Sequence, residues 1–297
     1  WVGFAHLGDL HYYDLGSGDH GIAGGGSLAN YRRAYSDVLL QPNQHKLYRS
    51  CSWWYQWDDH DYGPNDSDGT LTDKANAAAA YRERVPHYDL PDSGGIWQAV
   101  QIGRVLVVAS DTRYYRSPNT DPDGPSKTML GAAQIDWLRD LLMSTSARAL
   151  VWLMPSQWLR STGSDTWAAF ATERAALAGM LAELGWADRT VMVSADRHAA
   201  RVHPPGHQYG GWPVMQAAPL DAAGGDPLYD YPDGRPDNPG PSHSQYGTVA
   251  VDDAGHEIRI TLTTWRGSDQ LDQWTHAIRT PSPATPATTG LIERAIA

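Results

Sequence analysis

Cysteine is all but missing: Cys51 is the only one among 297 residues, so no disulfide can form within the chain. That scarcity neither demands nor excludes secretion. Lysine is almost as rare, since only Lys46, Lys74 and Lys127 stand among the 23 basic residues and the others are arginine. An excess of positive charge is also lacking. The net charge is −11, which argues against the clustered basic footprint that nucleic-acid binding needs to displace counterions. The same charge repels a phosphate ester at long range unless bound cations invert the local potential. No apolar run approaches the roughly 20 residues that cross a bilayer as a helix. What is abundant is aromatic and apolar: 13 Trp, 15 Tyr and 41% hydrophobic residues, enough for a globular core.

Short apolar segments alternate with helical periodicity. Strands are expected at Val2–Leu7, Ser52–Trp57, Arg104–Ser110, Ala149–Met154 and Thr190–Ser194. Their near-continuous apolar character fits strands covered on both faces. Three helical stripes lie between them: Leu28, Tyr31, Tyr35, Val38 and Leu39; Ile135, Leu138 and Leu142; and Phe170, Leu177, Leu181 and Leu184. Ser164 or Asp165 is expected to cap the third, and Gly185 to stop it. This alternation implies an α/β fold with a parallel or mixed sheet. Tyr246–Val251 and His256–Thr264 flank Asp252-Asp253-Ala254-Gly255, a hairpin pattern. From His203 to Ser244 the chain is rich in Pro, Gly, Asp and Tyr without periodicity, as in a long loop or lid. One domain is expected over 1–275, with a linker or tail over 276–297 where Thr280–Thr289 reads TPSPATPATT. The opening Trp1 falls inside a strand pattern, so a segment upstream is expected.

Ligand sites in open α/β sheets gather at the carboxyl ends of strands. Five strand ends deliver polar groups in this chain. They are Gly8-Asp9-Leu10-His11-Tyr12-Tyr13-Asp14, Asp58-Asp59-His60-Asp61, Asp111-Thr112-Arg113-Tyr114-Tyr115-Arg116, Pro155-Ser156-Gln157-Trp158 and Ala195-Asp196-Arg197-His198. Carboxylates with one or two imidazoles suit a metal pair, which lowers the pKa of a bound water and clamps both oxygens of a phosphoryl transfer. Gly8-Asp9 alone is more often a turn than a ligand, and Arg113 is as good a structural partner for Asp111 as a functional residue. Three acids and a His within four residues are different, because they repel one another without a cation. Asp14, Asp19 and His20 lie in a Gly-rich stretch that reads as solvated.

Five segments together resemble the alkaline phosphatase D-like (PhoD-like) branch of the calcineurin-like metallophosphatases. They are HLGDLHYYD at 6–14, WDDHDYGPND at 57–66, DTRYYR at 111–116, GAAQIDWLRDLL at 131–142 and SADRHAA at 194–200. The resemblance implies a four-layer αββα sandwich with two mixed β-sheets and a dinuclear site at the sheet edges. It implies Asp9 as bridging carboxylate, Tyr12 as a metal-bound tyrosinate, and Asp59, Asp196 and His198 as further metal ligands. His60 would aid the leaving group, while Arg113 and Asn65 would contact phosphate or a metal. The cofactors implied are Fe(III) with Ca2+, with Zn2+ or Mn2+ as alternatives. The activity implied is hydrolysis of phosphomonoesters or phosphodiesters by a metal-bound hydroxide, outside the cytoplasm: secreted, periplasmic or at the cell surface.

The family carries an opening ligand turn on a strand upstream of Gly8-Asp9. Either the chain is truncated, which is the expectation, or Asp9-Leu10-His11 serves in its place. The turn at Ser156-Gln157 lacks the His of many relatives, and Gln157 would offer a carbonyl oxygen instead. Trp53, Trp54 and Trp57, with Tyr229 and Tyr231, either pack the core or line a cleft for a bulky lipid or polymer ester. A calcium-dependent binding module without catalysis is the rival from another class.

Overall fold

The computed structural model describes residues 3–12, 26–220, 231–233, 238–239 and 244–280. In chain order the elements are β1 (Gly3–Leu7), α1 (Leu28–Leu39), α2 (Pro42–Ser50), β2 (Ser52–Gln56), α3 (Asp59–Tyr62) and α4 (Lys74–Arg84). Next come β3 (Gln98–Ile102), β4 (Val105–Ala109), α5 (Ala132–Ser144), β5 (Ala149–Met154), α6 (Ala171–Glu183) and β6 (Thr190–Ser194). The chain continues through β7 (Ala199–His203), β8 (Val214–Gln216), β9 (Asn238–Pro239), β10 (Gln245–Asp253), β11 (Glu257–Arg266) and β12 (Asp269–Arg279).

A seven-stranded mixed sheet, ordered β3-β4-β5-β6-β8-β7-β9, forms the centre. In β5 every residue is buried, and the pleat sends alternate side chains to opposite faces. Leu150, Trp152 and Met154 join a core with Leu138 and Leu142 of α5 and Leu177 and Leu181 of α6. Ala149, Val151 and Leu153 face the other way, into a core shared with Ile258, Ile260, Leu262 and Ile278 of β11 and β12. Ala5 and Leu7 of β1 pack against that second core too. On the far side of β1 and β2, Tyr55 and Trp57 meet Tyr31 and Tyr35 of α1 and Tyr81 of α4. The layers are therefore helix, strands, sheet and helix, as expected of the sandwich. The second strand layer is divided, however, into a parallel pair β1-β2 and an antiparallel β10-β11-β12 sheet.

The hairpin turns where expected, with Asp252 opposite Arg259 and Asp253 opposite Ile258. Gly185 ends α6 in the left-handed region at φ +72°. The cap ahead of α6 differs from expectation: Thr166, not Ser164 or Asp165, accepts from the Ala168 N–H and opens a short 3-10 turn. Asp165 is occupied elsewhere, by two arginines. The span 203–244, expected as loop or lid, contributes β8, which inserts between β6 and β7. β12 runs through the boundary drawn at 275 to Arg279.

Candidate metal centre

Two strand ends are tied together before any ligand is considered. The Asp61 carboxylate accepts from the backbone N–H groups of Asp9 (2.6 Å), His11 (3.0 Å) and Asp58 (3.1 Å). Asp61 thus docks the loop after β1 onto the loop after β2, a structural duty that the acid-rich run did not disclose. Gly8 makes the approach possible. It sits at φ +97°, and a Cβ there would collide with the backbone and Cβ of Asp58. Asp9, Asp196 and His198 also occupy the left-handed region, at φ 54°, 65° and 57°. Such conformations cost free energy in non-glycine residues and cluster at functional sites.

Six of the eight expected site residues come together. The Tyr12 hydroxyl donates to Asp9 Oδ2 at 2.9 Å and lies 3.1 Å from His198 Nε2. The Tyr12 and His60 rings are 4.2 Å apart. Asp59 is shared by two candidate cation positions: Asp9, Asp59 and His60 offer one, and Asp58, Asp59 and Asp196 the other, with donor atoms of each set within 4.8 Å of one another. Asp9 Oδ1 and Asp58 Oδ2 are buried without a hydrogen-bond partner. Buried carboxylate oxygens of this kind are costly unless a cation meets them. Oxygen donors with imidazole nitrogens are the set that hard and borderline divalent or trivalent ions prefer. The residues therefore fit a metal centre.

The electrostatics agree. Burial pushes the Asp9 carboxyl well above its usual range, and Asp59, Asp58, Asp61 and Asp196 push it further. Asp196 is pushed up to about 7 by burial and then by Asp59 and Asp165. Burial also raises Asp58, against the pull of Arg113. For Asp59 burial is outweighed by Arg113, His60 and two backbone N–H groups, so it sits below the usual range. The Tyr12 phenol is raised by burial and by Asp9.

Arg113 and Asn65 stand apart from the other six. Arg113 is 0% exposed. Its guanidinium bonds to Asp58 at 2.6 Å and grips Asp165 with two donors at 2.9 and 2.8 Å. It braces the carboxylates from behind, and its side chain pairs with Asp58 and Asp165 rather than with Asp111. Asp111 instead receives Trp57 Nε1 and the N–H groups of Ile96, Arg113 and Tyr114. Asn65 is exposed and donates to Asp66, whose own N–H reaches Asp59 Oδ2 at 2.8 Å. A third acidic group, Asp59, Asp66 and Asp165, is already countered by Arg113 and by Arg116, 2.8 Å from Asp165.

A family model described as PhoD-like phosphatase matches residues 4–210. The chain belongs to the PhoD-like phosphatases. Hydrolysis of phosphate esters is that family's chemistry. Among solved structures this PhoD-like chain is similar to PhoD, with a TM-score of 0.69 and 18% identity, over 96% of this chain and 67% of that one. It is also similar to a purple acid phosphatase from yellow lupin (Lupinus luteus) seeds, with a TM-score of 0.52 and 12% identity, over 92% of this chain and 46% of that one. At such identities the likeness is one of fold. No curated protein matches the chain.

In this PhoD-like chain Gln157 turns its amide NH2 to Asp196 Oδ2 at 2.5 Å and its Oε1 to Arg160 at 3.1 Å. The carbonyl oxygen expected to meet a cation therefore meets a guanidinium. Trp57 and Trp53 pack rather than line a cleft: Trp57 is fully buried, and Trp53 stacks on Tyr48 at 4.5 Å. Tyr231 is buried against His203. Asp14, Asp19, His20 and Tyr229 lie outside the described residues. Sequence reasoning missed Asp58 and Asp165 beside the site. Asp58 was legible as the first acid of the DDHD run, while Asp165 is joined to it only through Arg113, across long stretches of chain.

Proposed function

We propose that the protein hydrolyses phosphate esters at a dinuclear metal centre. The observation that carries this is the sharing of Asp59 between two sets of donors. On this reading Asp59 would serve both ions, the place that the resemblance gave to Asp9. Asp9, Tyr12 and His198 would hold one ion, and Asp58 and Asp196 the other, with His60 beside the first. Cations held there lower the pKa of a bound water and neutralise charge developing on phosphorus.

The remaining work falls to this chain's own side chains. Arg113, charged because Asp165, Asp58 and Asp59 outweigh its burial, keeps Asp58 and Asp59 in place. His60 supplies an N–H to the departing oxygen. Asn65, exposed beside Asp66, would meet the substrate from the solvent side. Fe(III) with Ca2+ is the pairing that Tyr12 beside three carboxylates favours, since phenolate suits a ferric ion. Secretion or a periplasmic location follows from the family resemblance.

Elemental analysis of the purified protein, paired with turnover of aryl phosphates, tests the proposal. Two metals per chain are expected, and His60→Ala should lower kcat by about 10²- to 10⁴-fold while the metals stay bound. A visible band lost in Tyr12→Phe would assign iron to the Tyr12 side. Metal retention with unchanged turnover in His60→Ala would sink the catalytic role of His60, whereas metal-loaded wild type without turnover would favour a calcium-dependent binding module.

A further inference from the structure

β7 carries an imidazole away from the candidate metal centre. The strand leaves the turn that holds Asp196 and His198 and ends at His203, with Ala199 and His203 about 13 Å apart along it. His203 stands opposite Val214 of β8 and is 2% exposed. Its ring lies against Tyr231 at 4.5 Å, and its Nδ1–H donates to Asp233 Oδ2 at 3.2 Å. An ionised carboxylate only accepts, so this contact fixes the tautomer: in the neutral ring the lone pair is on Nε2. That nitrogen is buried and has no hydrogen-bond partner among the described residues.

A cavity of about 170 Å³ adjoins it. Leu159, Pro204, Pro205 and Pro232 give apolar walls, and His203, His207 and Asp233 supply the polar side chains. Both nitrogens of His207 are engaged, Nδ1 accepting the Tyr209 N–H at 3.3 Å and Nε2 donating to the Trp212 carbonyl at 2.7 Å. Burial lowers its pKa, in keeping with a neutral ring. The loop that forms the wall is held in shape by its own contacts. The Gly206 N–H closes onto the Gly211 carbonyl at 2.8 Å, and Trp158 Nε1 holds the Tyr209 carbonyl at 2.8 Å. The Arg174 guanidinium lies 3.7 Å from the centroid of the Tyr209 ring. Pro205, Gly206 and Pro232 are exposed, so the cavity has a mouth.

We propose that this cavity binds a small neutral phenol, its ring against the prolines and its hydroxyl donating to His203 Nε2. Size, walls and anchor each narrow the choice. A cavity of about 150 Å³ takes one benzene ring, so this one suits a single ring and not a nucleoside. Apolar walls with few placed polar groups are the make-up of a small-molecule site. A buried nitrogen left without a partner costs free energy, which an O–H donor removes. A phenolic O–H donates more strongly than an aliphatic one, and the Asp233 carboxylate disfavours an anion. The proposal does not depend on the phosphoesterase reading.

The test titrates the purified full chain, with whatever metals it carries, at pH 8, where a phenol is neutral. The ligands are phenol and anisole, whose oxygen lacks the proton. Calorimetry reads affinity, and the nitrogen and proton signals of the His203 imidazole, assigned by their loss in His203→Ala, read location. Phenol should move those signals to saturation and bind about 2- to 10-fold more tightly than anisole, the worth of one hydrogen bond. Asp233→Asn should shrink that preference, since an amide, unlike a carboxylate, can also donate to Nδ1 and so move the proton to Nε2. Equal affinity for phenol and anisole would leave an apolar cleft alone and overturn the proposal. So would phenol that leaves the His203 signals unmoved at tens of millimolar, or binding undiminished in a folded His203→Ala, which would place the ligand elsewhere, the metals included. Should His203→Ala fail to fold, the phenol–anisole comparison in wild type and in Asp233→Asn decides on its own.

Discussion

At the scale of single residues, the site is a cluster of acids whose protonation is tied to what occupies it. Asp196, held at about 7 by burial and by Asp59 and Asp165, must lose its proton to ligate a cation. Metal loading should therefore release protons at pH 6.5 and fewer at pH 8, which calorimetric titration in buffers of different ionisation enthalpy would measure. Proton release that grows from pH 6.5 to pH 8 would contradict this placement. The sign for the metal-free fold is opposite. Its Asp196 keeps a proton that the unfolded chain, near pKa 3.8, has already lost. The stability contributed by the neutral carboxyl is thus present at about pH 4 and lost as the pH rises to about 7. Residue identities at this scale were legible because strand ends announce themselves: an apolar run stops and acids begin. Depth was not. Arg113 reads as a phosphate contact in DTRYYR until the contacts to Asp58 and Asp165 fix it in the interior.

At the scale of elements, legibility followed burial. β5 and β6 match their expected bounds because both faces are covered, so the apolar run is the strand. β8 was hidden because three residues between Pro213 and Ala217 carry no period. α4 was hidden because alanines fill it and no stripe stands out. β12 is mostly exposed, and its polar sequence DQLDQWTHAIR masks the one buried anchor, Ile278. That anchor packs against β4, β5 and β6 side chains beyond the boundary expected at 275. Ile278→Ala should cost about 2–5 kcal/mol, in line with other buried large-to-small changes. Urea denaturation with an unchanged m-value would read it out. A loss below about 0.5 kcal/mol, typical of surface sites, would place this end of the strand outside the cooperative core.

At the scale of the whole molecule, charge is the dominant property. A net charge of −11 opposes the approach of an anionic ester from beyond the Debye length, about 10 Å at 0.1 M salt. For a phosphomonoester, kcat/KM should therefore rise as KCl is increased from about 10 to 150 mM, where the Debye length falls from roughly 30 to 8 Å. A fall over that range would mean that bound cations already present a positive field to solution. For a neutral-leaving-group probe of equal charge the trend should be the same, since the effect belongs to the approach rather than to the chemistry.

The three amides gathered by Asp61 bear on which ion the centre accepts. They set the distance between the loop that carries Asp9 and the loop that carries Asp59 through the backbone, without reference to any ion. A cavity dimensioned this way acts as a gauge: an ion too large must stretch amide contacts at 2.6–3.1 Å, and one too small leaves its oxygens apart. Discrimination by radius would then be written into Asp61, a residue that touches no ion, and relaxing it would blur the choice of metal before it cost the fold.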